Sequence, residues 1–365
     1  MSTSEIAAKK LKFNNQDKPG FYAELRKEVD RYFIDNGISK NANTSMVLKT
    51  IFFLSSLVLL YFLIILEIYE ASITLVFASL IGMVQAFIGF NVSHDAIHGS
   101  YTKSKKLNKL IGYTFNLIGA NAYVWEITHN QVHHTYTNIP GHDEDLDVAP
   151  GLVRLSPQDE HKEYMRFQHI YAFFLYCLSS LSWVFRKDYK KFFQTKVGQQ
   201  DNRNHPMKEY YILFGFKLVY YGLFIVLPLV VMDITWWQFL VGFLVMHLSE
   251  GLVLASIFQL AHTVEDTEFP SPDQNWQMEE SWARVQMIGT ANFSIKNPII
   301  TFFTGGLNYQ IEHHLFPLVC HIHYPALSPI VERVASKHGI PYNGENSFFG
   351  ALKSHYIVLK ELGKP

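Results

Sequence analysis

Long apolar runs alternate along the chain with polar, basic stretches. Four runs are long enough to cross a bilayer: about 47–66 (VLKTIFFLSSLVLLYFLIIL), 71–92, 210–232 (YYILFGFKLVYYGLFIVLPLVVM) and 236–258 (WWQFLVGFLVMHLSEGLVLASIF). A helix of about 20 apolar residues traverses the hydrocarbon core. A short turn around Glu67 and Glu70 joins the first two runs, and one around Asp233 joins the last two; neither carries Lys or Arg. The basic residues gather instead in 9–49, 103–109 and 186–208, which the positive-inside rule places in the cytoplasm. The pattern predicts an all-α integral membrane protein. Four transmembrane helices form two hairpins that dip in from the cytoplasmic side, with both termini and a helical cap in the cytoplasm. Residues 1–46 read as an N-terminal cytoplasmic segment and 47–365 as a single membrane-embedded domain.

Composition sharpens this picture only in places. Charged residues are 17% of the 365, against about 25% in an ordinary soluble domain. The formal charge of −1 offers no basic excess for nucleic acid. The only cysteines, Cys177 and Cys320, lie in no CxxC pair, which excludes a disulfide scaffold or zinc ribbon. Residues 1–46 contain no apolar h-region of a signal peptide.

Candidate chemistry lies in the histidines. HDAIH carries His94 and His98, HNQVHH carries His129, His133 and His134, and QIEHH carries His313 and His314. An i, i+4 spacing puts His94 with His98, and His129 with His133, on one helix face. His134 is turned by about 100°. With 17 His in the chain, an HxxxHH arises by chance about 0.04 times over this length. Three clusters reachable from one membrane face are therefore no accident. A lone histidine is usually structural or solvated, and that reading is kept for His142, His161, His169, His205, His247, His321, His323, His338 and His355. Two further apolar runs, 107–126 and 167–185, are broken by Asn, Gly or Ser. Either one crossing alone would separate the clusters, so both are expected to be interfacial or partly inserted.

Imidazole is a common ligand for Zn, Cu, Fe and Ni. Seven clustered histidines are too many for one ion and suit two. Asp95, Asp143, Asp145, Asp147 and Glu312 stand beside the clusters as acceptors for the other ring N–H. A metal site at the mouth of four apolar helices would face a substrate with a polar head and a long apolar tail. Such a site suits oxidation of an unactivated C–H bond, in which two metals share the electrons.

At these residues the chain resembles the membrane fatty acid desaturases, over about residues 45–345. The resemblance rests on HDAIH, HNQVHH with the trailing Thr137 and Asn138, QIEHH, and the closing HYPALSPIVERVASKHGIPY. Gln310 in place of the first histidine of the third box resembles the front-end subgroup, which adds a double bond on the carboxyl side of an existing one. The resemblance implies a further ligand shortly after the fourth span, where His262 stands in QLAHTVE. It implies two iron ions (Fe2+) held by His94, His98, His129, His133, His134, His262, His313 and His314, with O2 as co-substrate. Asp95, Asn138, Gln310 and Glu312 would support the ligands, and the substrate would be a long-chain acyl-CoA or acyl-lipid. Many front-end desaturases carry a fused cytochrome b5 domain with an HPGG motif. Here the only His-Pro is His205-Pro206, followed by Met207 and Lys208. A separate ferredoxin or cytochrome b5 is therefore the expected electron carrier. The basic segments would meet that carrier, CoA phosphates or anionic membrane lipid. The rival readings are a di-iron lipid hydroxylase, a zinc-dependent membrane lipid hydrolase and a metal carrier.

Overall fold

The computed structural model describes residues 11–14, 20–145 and 149–365. Asp147 lies outside the described residues. Among them, four helices are long and apolar enough to cross a membrane: Thr44–Ile65, Ala71–His98, Met207–Val231 and Trp236–His262. Local chemistry caps the first and the fourth. The Asn43 side chain accepts from the Met46 N–H at the head of the first span. Thr235 and Gln238 form a reciprocal capping box at the head of the fourth. Among the described residues the other regular elements are helices and a few two-residue strands, so the all-α expectation holds.

Two spans run further than their apolar stretches. The second continues through a π-helical turn, Gly89–Ser93, into His94–His98. The fourth ends at His262. HDAIH is thus the last turn of the second span rather than a segment just past it, and His262 closes the fourth span rather than following it. The reason is length: at 1.5 Å per residue, 27 residues reach about 40 Å, more than the ~30 Å apolar slab. The final turns therefore stand out of the slab and carry polar side chains.

These two spans also touch most closely. A Cβ at Gly82, in the second span, would sit 2.0 Å from the carbonyl oxygen of Met246 in the fourth. Small residues let the backbones meet where lipid supplies no hydrophobic drive. The contact brings the C-terminal ends of both spans, and so His98 and His262, to the same side.

The two ambiguous runs are short helices. Lys105–Leu117, capped by Ser104, buries Gly112, Phe115 and Asn116 and exposes Leu107, Leu110 and Leu117. Gln168–Cys177 exposes Ile170 and Phe174. The first, at 13 residues, is too short to span and has an apolar outer stripe, as a helix at the membrane surface requires; the second breaks at Leu178 and resumes as Ser179–Ser182 and Trp183–Lys187.

The cap closes over the span ends. In helix Phe21–Asp35, Phe21, Leu25, Val29 and Phe33 recur every four residues and form one buried stripe. The stripe packs on Leu327, Val331 and Val334 of helix Tyr324–Lys337, together with Tyr309, Ile311 and Leu315. This core lies directly behind the short helix Gln310–Leu315, which carries QIEHH.

Candidate metal centre

The eight histidines converge. His94, His98, His129 and His313 form one group, and His133, His262 and His314 form a second; within each group the ligand atoms lie within 4.8 Å of one another. His134 joins His313 and His314 in a third group and so stands between the two. All eight are buried, none more than 7% exposed. Four separate elements supply them: the ends of the second and fourth spans, the turns around 126–136, and the QIEHH helix.

The HNQVHH stretch is not one regular α-helix. Residues Glu126–His133 are π-helical, and α geometry resumes at His134–Tyr136. The rings of His129 and His133 still stack, with centroids 5.0 Å apart, as their spacing predicts. His134 stands nearly perpendicular, at 84° to His129 and 77° to His133. The stacked pair nevertheless divides, with His129 facing the first group and His133 the second.

The ring nitrogens that face away from the centre are mostly occupied. His129 Nδ1 pairs with Asp145 Oδ2 at 3.0 Å and His133 Nδ1 with Asp143 Oδ2 at 2.8 Å. His314 Nδ1 lies 2.8 Å from Gln286 Oε1, His313 Nδ1 3.2 Å from the Tyr324 hydroxyl, and His262 Nδ1 3.4 Å from the Gly289 carbonyl. A ring that donates through Nδ1–H leaves Nε2 as a lone pair. Those lone pairs meet in the centre. The Nε2 atoms of His94, His98, His133 and His313 have no hydrogen-bond partner, and His129 Nε2 lies 3.2 Å from His134 Nε2. Buried acceptors without donors are costly. Metal cations would satisfy them, so these residues fit the group that the sequence implies.

Electrostatics agree. Burial, followed by the charges of neighbouring imidazoles, holds His134, His313 and His314 well below the usual histidine range. Burial also lowers His129, to about 3, against the pull of Asp145. At His133 burial acts downward as well, but the Asp143 carboxylate outweighs it and raises the ring. Most of the cluster is thus neutral near pH 7 and ready to donate lone pairs.

The four supporting residues behave differently from one another. Gln310 points into the second group, with Nε2 2.9 Å from His262 Nε2 and 3.2 Å from His314 Nε2, while its Oε1 has no partner. Turning the amide over would present that oxygen to the same space. Asn138, held at φ 56°, donates to the His262 carbonyl at 2.8 Å and so braces the end of the fourth span rather than a ring. Glu312 accepts from Tyr342 at 2.6 Å and Asn292 at 2.9 Å, which ties the QIEHH helix to the 342–345 segment. Asp95 approaches the His94 ring only to 3.8 Å. Gln286 and Tyr324 went unnoticed in the sequence. Tyr324 at least lies within the closing HYPALSP stretch, whereas nothing in one sequence marks Gln286. Asp95, Cys320 and His321 form a fourth group of possible ligands, but their polar atoms already bond to one another.

Two recesses reach the cluster. One is an apolar cavity of about 120 Å³, walled by Phe90, Phe115, Trp125, Trp183, Leu254 and Phe258, onto which His94, His129 and Gln310 open. The other, about 580 Å³, is more polar than the first, with Lys103, Lys105, Lys109 and Glu126 around it and His98 in its lining. Ile97 lines both.

Comparison with known proteins decides the family, because a profile described as fatty acid desaturase matches residues 71–346. The chain belongs to the fatty acid desaturase family. The desaturase is 35% identical to the sn-1 linoleoyl-lipid 6-desaturase of Synechocystis sp., over 98% of this chain and 99% of that one. It is also 35% identical to the protein of the same name from Arthrospira platensis, over 94% and 92%. Identity to the acyl-lipid (8-3)-desaturase of Physcomitrium patens is 34%, over 97% of this chain and 74% of the relative. The desaturase is thus an integral membrane oxidoreductase acting on fatty acyl chains.

Proposed function

We propose that this desaturase inserts a cis double bond into an acyl chain carried on a membrane lipid, on the carboxyl side of an existing double bond, at a di-iron site held by the eight histidines. The carrying observation is the convergence of the histidines in two groups, with the Nε2 atoms of His94, His98, His133 and His313 unpartnered and most of the rings anchored from behind through Nδ1. The lipid carrier and the front-end position are taken from the names of the relatives, which act on linoleoyl or other acyl lipids.

The overall reaction is –CH2–CH2– + O2 + 2 e⁻ + 2 H⁺ → –CH=CH– + 2 H2O. The two irons supply O2 activation and the electron storage needed to remove two hydrogens from an unactivated chain. The protein does the rest. Gln286, Tyr324, Asp143 and Asp145 hold their rings in one tautomer. The apolar cavity keeps water from the chain beside His94 and His129. The lipid head lies in the polar recess among Lys103, Lys105 and Lys109, and the tail passes Ile97 into the cavity. The distance from that recess to the cluster then sets the bond position. Electrons come from a separate ferredoxin or cytochrome b5 that meets the basic cytoplasmic face. Residues 47–365 carry the reaction, and the segment before them buttresses the cap through helix Phe21–Asp35.

The test is a fatty acid profile by gas chromatography and mass spectrometry, made on cells that express the chain with an electron carrier and are fed saturated, monoenoic and dienoic acids. A new polyene, two hydrogens lighter and with its extra bond on the carboxyl side, is expected in the lipid fraction. Gain of an oxygen would replace desaturation by hydroxylation. Stoichiometric zinc with no O2 uptake would point to a hydrolase instead.

A further inference from the structure

One buried polar chain is left over by the ligand set. Lys49, in the first span, is only 9% exposed. Its Nζ lies 3.1 Å from His321 Nε2 and 4.8 Å from the centre of the Phe302 ring. An ammonium can only donate, so His321 Nε2 accepts and its proton sits on Nδ1. That Nδ1–H points at Asp95 Oδ2, 2.9 Å away. The same oxygen accepts from the His321 backbone N–H at 3.2 Å and from the Cys320 thiol at 2.9 Å. Three donors thus crowd Oδ2. The other oxygen, Oδ1, faces His94 Nδ1 at 3.8 Å, and neither nitrogen of His94 has any partner.

We infer that Lys49 is a positioning residue for the metal centre: through His321 it fixes Asp95 with one oxygen aimed at His94 Nδ1. This rests on the ligand reading above. If His94 binds through Nε2, its proton must sit on Nδ1 and needs an acceptor. Asp95 Oδ1 is the carboxylate oxygen at hand, and a small ring rotation closes the gap. Without the Lys49 donor, His321 Nε2 is left a buried acceptor with no partner, and the ring turns to find one. Its Nδ1–H then leaves Asp95 Oδ2, Asp95 turns and His94 loses its support. Only the group of His94, His98, His129 and His313 is touched. The group of His133, His262 and His314 is held by other residues. The first span, which supplies no ligand, thereby controls one of the two ions.

The experiment is anaerobic Fe2+ titration of the purified metal-free protein in detergent, read by calorimetry. In Lys49→Met, where the apolar stem still packs on Phe302, one of the two ions is expected to bind about 10- to 100-fold more weakly and the other as in the parent. Lys49→Arg keeps the donor and is expected to restore both. Asn places its Nδ2 where the His Nδ1 stands and donates whatever its neighbour. His321→Asn added to Lys49→Met is therefore expected to recover the weakened ion, whereas a purely structural lysine would leave the double variant worse. Two ions bound at parent affinity by Lys49→Met would overturn the inference. If Lys49→Met does not fold, His321→Asn alone decides: parent-like binding is expected, and loss of both ions counts against the relay. His94→Ala serves as the control. Two tight ions in that variant would sink the ligand reading itself, whereas loss of one there, with none lost in Lys49→Met, would sink only the relay.

Discussion

At the scale of single residues, the centre is a set of mostly neutral imidazoles, His133 beside Asp143 excepted, made scarce of protons by burial and by one another. His133→Ala or His314→Ala removes a lone pair from the second group, and neither residue lies in a span helix. Each variant is expected to reach the membrane at normal level, with iron below two per chain and no detectable product. Metal analysis beside the lipid profile checks this, and full turnover would contradict the assignment. The same crowding makes the metal-free protein acid-sensitive. An unfolded histidine titrates near 6.5, while folded His129 lies near 3 and His134, His313 and His314 lie well below the usual value. Below pH ~6.5 the unfolded chain binds more protons than the folded one, so stability falls with falling pH across that window. The melting temperature of metal-free protein is expected to be lower at pH 5 than at pH 7.5. A flat profile would mean that these rings are open to protons.

At the scale of elements, two joints matter. Where the second and fourth spans cross, Gly82 lies against the Met246 carbonyl. Gly82→Val cannot be seated without parting the helices, and overpacking of this kind typically costs about 1–3 kcal/mol. A lower melting temperature in detergent and a smaller folded yield are expected; parent-like melting would show that the spans are not pressed together there. The second joint is the QIEHH helix, pinned through Glu312 to Tyr342 and Asn292, with the Asn292 side chain also accepting from the Ile311 N–H. Tyr342→Phe removes one donor to a buried carboxylate, a loss of about 1–3 kcal/mol. Reduced iron retention is expected alongside the lower stability. Unchanged iron content would confine Tyr342 to the cap.

At the scale of the whole molecule, the histidine cluster, the basic recess and the N-terminal helix all lie at one end of the spans, and the turns near Glu67 and Asp233 lie at the other. Single cysteines at Lys103 and Asp233, in a background lacking Cys177 and Cys320, are expected to label from opposite faces of sealed vesicles, Lys103 from the cytoplasmic one. Labelling of both from one face would refute the two-hairpin topology. The path of the acyl chain is tested at Ile97, which borders both recesses. Ile97→Trp is expected to abolish desaturation while leaving two irons bound, read by metal analysis and product profile.

Much of this was legible along the chain because the bilayer and the metal impose local rules. A span needs about 20 apolar residues in a row, and an ion needs clustered ligands, so four helices and the seven box histidines stand out with no knowledge of contacts. His262 is different: alone in QLAHTVE, it emerged only through the family likeness. Other features depend on which surfaces meet. The overrun of the second and fourth spans, the π-turn that splits His129 from His133 between groups, and the partners Gln286, Tyr324 and Lys49 are set by packing between segments as much as 272 residues apart. A hydrogen-bond partner leaves no periodicity and needs no fixed spacing, so only the folded chain could reveal which buried acceptor each donor meets.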